Sequence, residues 1–315
     1  MIKTEKLATR EGYGAALAEL GEKYDFVVLD ADLAAATKTG VFKKKFPERF
    51  FDCGIAEGNM VGVAAGIATT GKIPFISSFA MFVAGRAFEQ VRNMVGYPHL
   101  NVKIGATHAG VTVGEDGATH QCNEDIALMR TIPGMVIINP ADAREARAAV
   151  EAAILHDGPV YMRFGRYAVP TVTEAPDYKF EIGKGVMLED GTDVTIVASG
   201  LTVHLALEAR EILAEQGISA RVLNIHTIKP LDTEILLKAA KETGAIVTAE
   251  EHSVIGGLGA AVCEALSGEY PVPVRRIGVQ DRFGKSGTVP ALLQEYGLTA
   301  AHIAEEVKIA IGMKK

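Results

Sequence analysis

The chain has 315 residues, 39 acidic against 32 basic side chains, 48% hydrophobic residues, 33 glycines, three cysteines and no tryptophan. At about 150 residues per domain this length implies two domains, able to bury their cores without disulfide or metal staples. A formal charge of −7 and a pI near 5.7 exclude a nucleic-acid affinity built on phosphate neutralisation. No apolar run approaches the roughly 18 unbroken residues that a bilayer span requires, so neither nucleic acid nor membrane is an expected partner. Residues 1–6 are polar and basic and lead into no apolar core and cleavage site. Cys53, Cys122 and Cys263 are odd in number and far apart, which suits neither a disulfide framework nor a zinc site. A reducing, cytoplasmic setting is the expectation.

Short β-branched runs alternate with helix-like stretches along both halves, the rhythm of an α/β protein with mainly parallel sheets. In the first half strands are expected near 26–29, 74–77, 102–106, 136–139 and 160–164. Helices are expected near 10–23, 58–70, 86–95 and 143–155. Residues 167–178 hold Pro170 and Pro176 with little periodicity and read as a linker. The second half restarts the alternation, with strands at 194–198, 220–225, 245–249 and 274–279. Its helices fall at 202–216, 233–243 and 257–266, and a terminal helix at 301–311 closes the chain.

Glu57 heads a run so rich in small and apolar residues that its helix is expected to be buried on nearly all sides. A carboxylate there either caps the positive helix end or has a buried partner. Phe79 and Phe82 lie three apart where a strand meets a loop. Such a pair more often packs a core, but the carboxyl end of a strand is where ligands bind in open α/β sheets.

The densest polar cluster runs from His108 through Glu115, Asp116, Thr119 and His120 to Gln121. As a metal site it lacks the fixed register of helical ligand pairs, and no metal ligands are assigned. As a tight turn its Glu-Asp-Gly part needs no function. A hydroxyl and phosphate grip is the alternative, with imidazoles as donors and Asp116 as acceptor. Arg10 and Arg166 could add guanidinium contacts to a phosphate. Residues 255–261, Ile-Gly-Gly-Leu-Gly-Ala-Ala, lack the full dinucleotide spacing and read as a packing turn.

Together these residues resemble the carboxyl-terminal half of transketolase, over essentially all 315 residues. The matching blocks are Asp30-Ala-Asp32-Leu33, Ile55-Ala-Glu57-Gly-Asn-Met, Ser78-Phe79-Ala-Met-Phe82 and His108 through Gln121. Asp157-Gly-Pro followed by Arg166, and Ile228-Lys-Pro-Leu-Asp, add order and spacing. The resemblance implies a pyrimidine-binding domain over 1–170 and a transketolase C-terminal-like domain over 185–315. It implies thiamine diphosphate as cofactor, with Glu57 bonding and activating its pyrimidine ring, Phe79 and Phe82 holding that ring, and Leu33 supporting the bent cofactor. Asp116 would read a substrate hydroxyl, and Arg10, His108, His120 and Arg166 would contact the sugar chain and its phosphate. His108 and His120 are also expected to serve catalysis. The implied reaction moves a two-carbon ketol unit from a ketose phosphate to an aldose phosphate.

Two departures stand out. Ala36 occupies the position where the family often has a phosphate-contacting serine, so that contact is lost or passes to Thr37 or Lys38. One extra residue falls near Gly85–Arg86, so Arg86 receives no role, and neither change is expected to touch the core chemistry. The larger departure is that the chain contains no Gly-Asp-Gly, the family's motif for holding the diphosphate through Mg²⁺. A separate N-terminal subunit carrying that motif is therefore expected, binding most of the Mg²⁺ shell, with self-dimers of this chain inside a heterotetramer. Rival readings are part of a deoxyxylulose-phosphate synthase, the beta subunit of a 2-oxo acid dehydrogenase, or a non-catalytic regulatory subunit.

Overall fold

The computed structural model describes residues 6–314. The runs Phe26–Asp30 and Lys103–Thr107 are buried along their whole length, as parallel strands covered on both faces must be. They belong to a seven-stranded sheet with the order Thr227–Lys229, Val136–Ile138, Val160–Arg163, Lys103–Thr107, Ile73–Phe79, Phe26–Asp30, Phe50–Asp52. Every pairing in it is parallel except that of Thr227–Lys229, which runs antiparallel to Val136–Ile138. Six strand carboxyl ends therefore open on one side.

On one face the Thr9–Leu20 and Ala143–Leu155 helices pack Tyr13, Leu17 and Val150 against Phe26, Phe75 and Met162. Asp142 starts the second of these helices by accepting the Glu145 amide at 2.9 Å, the usual capping contact. On the other face lie the Glu57–Ala68 helix and the Met81–Gly96 segment.

The second half builds a five-stranded sheet, in the order Val274–Val279, Ile246–Ser253, Val194–Ala198, Ala220–Asn224, Val186–Glu189. The Thr202–Ala214 and Ala300–Gly312 helices cover one face with Leu205, Ala209 and Val307. Thr233–Thr243 and Leu258–Ser267 cover the other, and their Leu236, Leu258 and Val262 join Met60, Ile126 and Tyr161 in one continuous core. The two halves thus share buried apolar surface. α/β architecture with mainly parallel sheets is as the sequence predicts.

Several elements depart from that reading. The stretch read as a linker begins with a strand, Ala168–Pro170, paired antiparallel with Lys6–Ala8. The amides of Val172 and Thr173 then bond Asp142 at 2.7 and 2.9 Å, so the segment is pinned where it leaves the first half. Two three-residue strands give too short a pattern to show a period. Thr227–Lys229 leaves the second half to edge the first sheet, which no local signal announces. The expected 86–95 helix instead starts at Met81 and contains two π-helical stretches, Met81–Arg86 and Val91–Gly96. A residue inserted into a helix is absorbed as a π turn.

The Gly-rich turn before Leu258 is explained by Glu250. Its carboxylate accepts the Leu258 and Gly259 amides at 2.6 and 2.8 Å, and burial pushes it up to about 7. A side-chain carboxylate fills the place that an anion takes at a helix start, so the turn packs, as expected.

A buried ion pair stands where the halves meet. Arg163 Nε donates to both Asp125 oxygens at 3.1 and 2.9 Å, and another of its nitrogens donates to the Glu251 carbonyl at 2.9 Å. Both side chains are almost fully buried. Arg163→Met would leave Asp125 buried with no cation, a change that costs about 3 to 5 kcal/mol. The expected outcome is a large fall in the urea midpoint, read by circular dichroism; an unchanged midpoint would show the pair to be dispensable.

Candidate active site

Adjacent strand ends in the first sheet carry the candidate residues. Arg166 follows Val160–Arg163, His108 follows Lys103–Thr107, and Phe79 ends Ile73–Phe79. Leu33 follows Phe26–Asp30, and Glu57 follows Phe50–Asp52. Arg10 enters from the Thr9–Leu20 helix, whose start is docked on the same edge by Gly165 N–H donating to Thr9 Oγ1 at 2.8 Å. Sequence positions spread over more than half of the first 170 residues thus converge on one crevice, as the topology of a parallel sheet dictates.

Glu57 is 1% exposed and opens its helix. No side chain caps that helix start; the carboxylate's partner is the exposed Arg86, whose Nη1 lies 2.9 and 2.8 Å from the two carboxylate oxygens. The guanidinium also lies over the Phe82 ring, 4.7 Å from its centroid, a favourable cation–π position. The π turn that ends at Arg86 thus brings this guanidinium onto the Glu57 carboxylate. Helix Glu57–Ala68 is less enclosed than its composition suggests: Asn59, Val63 and Gly66 face outward, with Val63 41% and neighbouring Met94 47% exposed.

Phe79 and Phe82 stack with centroids 5.6 Å apart, and Phe79 stacks on His108 at 3.8 Å. His120 meets Phe82 edge-on at 5.3 Å. His108 adopts φ 55°, a left-handed conformation rare outside glycine and concentrated at functional sites. Its Nε2 lies 2.8 Å from Arg10 Nη1, and arginine has no acceptor. Nε2 must therefore carry the lone pair, which puts the proton on Nδ1, 2.9 Å from Thr107 Oγ1. Both ring nitrogens are engaged, so His108 reaches a ligand oxygen only by exchanging one of these partners. Burial first, then Arg10 and Arg166, push its imidazolium down to about 3. His120 uses Nδ1 on Thr119 Oγ1 at 3.0 Å and is half-buried.

Asp116 and Arg166 are exposed and half-buried respectively, 3.5 Å apart, and Arg166 also donates to the Val113 carbonyl. Leu33 is half-buried, with its amide donating to Asp30 at 2.6 Å. Thr37 cannot replace the serine missing at Ala36. It is fully buried and donates to Asp30 Oδ2 at 2.7 Å, and Thr39 donates to the same oxygen at 2.8 Å. Burial pushes Asp30 upward, against these hydrogen bonds. The Ala36 carbonyl accepts from Arg10 at 3.0 Å, and Lys38, at φ 71°, pairs with Glu11 at 3.6 Å.

A buried carboxylate beside two aromatic faces suits a flat heterocycle with ring nitrogens. Among the described residues no group of three or more His, Cys, Asp or Glu side chains is placed to hold a metal ion. No helix among them is long and apolar enough to cross a membrane.

The neutral state of His108 is directly measurable. An imidazole that titrates near 6.5 when unfolded and near 3 when folded contributes stability that is whole above about 6.5 and is lost as pH falls toward 3. The His108 ring signals in an NMR titration are expected to stay flat from about pH 8 to 5, and Arg10→Ala is expected to raise the midpoint. A midpoint near 6.5 in the parent chain would overturn the assignment.

Residues 5–171 match the family described as transketolase, pyrimidine binding domain, and residues 183–303 match transketolase, C-terminal domain. A putative transketolase C-terminal section from Methanocaldococcus jannaschii is 53% identical over 95% of this chain and 94% of its own. A 6-deoxy-6-sulfo-D-fructose transketolase subunit from a Clostridium species is 47% identical over 96% and 94%. A solved structure described as a split gene transketolase, inactive beta4 tetramer, superposes with TM-score 0.90 at 54% identity, covering 99% of this chain and 100% of the other. With two family domains in order and relatives matched end to end, the chain belongs to the transketolase family and is similar over nearly its whole length to the carboxyl-terminal section of a split transketolase.

Proposed function

We propose that this chain is the C-terminal subunit of a thiamine diphosphate-dependent transketolase, active in the cytoplasm with a separate subunit that binds the diphosphate and Mg²⁺. Residues 1–170 would form its pyrimidine-binding domain and 185–315 its C-terminal domain. The observation that carries this reading is the buried Glu57 beside the Phe79–Phe82 stack, on the strand edge that also bears His108, His120 and Arg166. These residues fit the pyrimidine half of the cofactor. The sequence lacks Gly-Asp-Gly, so the other half falls to the partner. The exposed apolar flank formed by Val63 and Met94 on and beside the Glu57 helix supports a second chain packing there. So does the relative described as an inactive beta4 tetramer.

When bound, thiamine diphosphate supplies an electron sink for breaking and re-forming the bond beside a ketose carbonyl. The protein's own residues do the rest. Glu57 would present its carboxylate to a pyrimidine nitrogen once Arg86 yields one of its bonds, and exclusion of water strengthens that contact. Phe82 would meet the ring once Arg86 leaves its face, with Phe79 stacked behind it, and Leu33 would support the bent cofactor. Arg10 and Arg166 supply guanidinium donors to an anionic sugar end. Asp116 would accept from a sugar hydroxyl, and His120 would exchange a proton with another. Two relatives are named for ketoses with anionic ends, 6-deoxy-6-sulfo-D-fructose and apulose 4-phosphate. Such ends suit the same arginines.

The deciding experiment reconstitutes the chain with its diphosphate-binding partner and offers xylulose 5-phosphate, 6-deoxy-6-sulfo-D-fructose or pyruvate as donor. Ketol transfer from a sugar with neither chain active alone is expected; turnover of pyruvate, or full activity of the isolated chain, would sink the reading. Glu57→Gln is expected to lower kcat by about 10²- to 10⁴-fold while the complex still forms in gel filtration. Near-normal turnover would remove Glu57 from the mechanism.

A further inference from the structure

The loop from His108 to Gln121 is not held by its own half alone. It is closed on itself by Gln121, whose Nε2 donates to the Val111 and Gly114 carbonyls at 3.2 and 3.1 Å. The same nitrogen reaches across to the Lys285 carbonyl at 2.9 Å.

The stronger attachment is the carboxyl end of the second-half strand Ile246–Ser253, where three consecutive residues bind first-half backbone. Glu251 Oε1 accepts the Thr112 amide at 2.7 Å, and His252 Nε2 accepts the Ala127 amide at 3.3 Å. Ser253 N–H donates to the Asn123 carbonyl at 2.7 Å. Glu250, next in line, points its carboxylate back to its own half.

Among these, Glu251 alone touches the interior of the loop. Gly110 sits at φ 80°, and a Cβ there would come within 2.3 Å of Glu251 Oε1. The loop backbone is therefore packed directly on the carboxylate, which is 4% exposed. Burial pushes Glu251 upward, and neighbouring Arg163 works against that. The Arg163 guanidinium meanwhile fixes the Glu251 backbone carbonyl and Asp125 together. On its outward side the same loop presents Asp116 and His120, and its Val113 carbonyl receives Arg166.

We infer that Glu251 is a positioning residue for substrate recognition, fixing from the second half the loop that carries Asp116 and His120. This gives the C-terminal half a part in sugar recognition that goes beyond packing. It rests on the reading of that loop as the sugar-phosphate grip. A buried amide that loses its acceptor is destabilised, and a loop edge freed at Thr112 shifts every group it presents. A displacement of this kind weakens binding of the sugar without touching Glu57 or the aromatic pair, which stand on other elements.

Two measurements separate this inference from the proposed function. The first needs no turnover: amide exchange in Glu251→Ala is expected to accelerate about tenfold or more over 111–116, with strand Lys103–Thr107 as protected as in the parent. Gly110→Ala displaces the same joint from the loop side while keeping the buried carboxylate, and the same local pattern is expected if the first variant fails to fold. The second uses the reconstituted complex. There Glu251→Ala is expected to raise KM for the ketose phosphate about tenfold, with the apparent cofactor constant within about twofold of the parent. Glu251→Gln keeps an oxygen for the Thr112 amide and is expected to restore KM. Unchanged exchange over 111–116, acceleration spread over the whole chain, or a Gln variant as impaired as Ala would overturn the inference. A parent complex without ketol transfer would sink the function instead, and the exchange data would still decide the role of Glu251.

Discussion

Burying the Glu57 carboxylate is the constraint around which the first half is arranged. An ionised carboxylate taken from water without compensation is among the costliest groups a fold can hold. Here the compensation comes from Arg86, which approaches from solvent and rests on Phe82. Arg86 can do so because the Met81–Arg86 stretch is a π helix. The aromatic pair, the π turn and the carboxylate are therefore one arrangement. The sheet sets its location, since Glu57 and Phe79 sit at ends of strands that both flank Phe26–Asp30.

Much of this was legible in the sequence because parallel strands and amphipathic helices write themselves as local patterns. Strands 26–30, 103–107 and 194–198 are short runs dominated by apolar and β-branched residues, and Ala143–Leu155 carries both its periodicity and its Asp142 cap. The candidate site was visible as residue types at strand ends. What escaped is non-local. Thr227–Lys229 has no pattern of its own and becomes a strand because the edge at Val136–Ile138 is open to it. Arg86 looks like any surface arginine until the π turn places it 2.8 Å from Glu57. No local pattern in the sequence marks the π turn that redirects it. Thr37 illustrates the reverse case. As a hydroxyl beside the missing serine it invited a substrate role, but a buried Asp30 needs its donors more, and both Thr37 and Thr39 are drawn inward.

His108 shows how geometry refines a role that residue type only suggests. Histidine clusters are usually read as titrating groups near neutrality. Enclosure between Phe79 and two guanidiniums makes the opposite choice here, a permanently neutral ring with a fixed tautomer. Such a ring is a spacer and a hydrogen-bond relay between Arg10 and Thr107 more than a source of protons. His120 instead lies edge-on to Phe82, with one ring nitrogen engaged by Thr119.

The two halves of the chain are joined by polar contacts where apolar packing alone would have served. The shared core already holds Met60, Ile126 and Tyr161 against Leu236 and Leu258, and non-directional burial of this kind fixes proximity without fixing angle. Arg163, Asp125, Glu251 and His252 add bonds with direction, and every one of them ends on the backbone or side chains next to the His108–Gln121 loop. A buried ion pair contributes little net stability compared with apolar residues of the same size. Its retention at this joint makes sense if what matters is the angle at which the loop meets the crevice. The same economy accounts for Gly110, where both the positive φ and the closeness of Glu251 leave no room for a side chain. The loop presents its polar residues outward because its backbone is anchored inward, on the other half of the molecule.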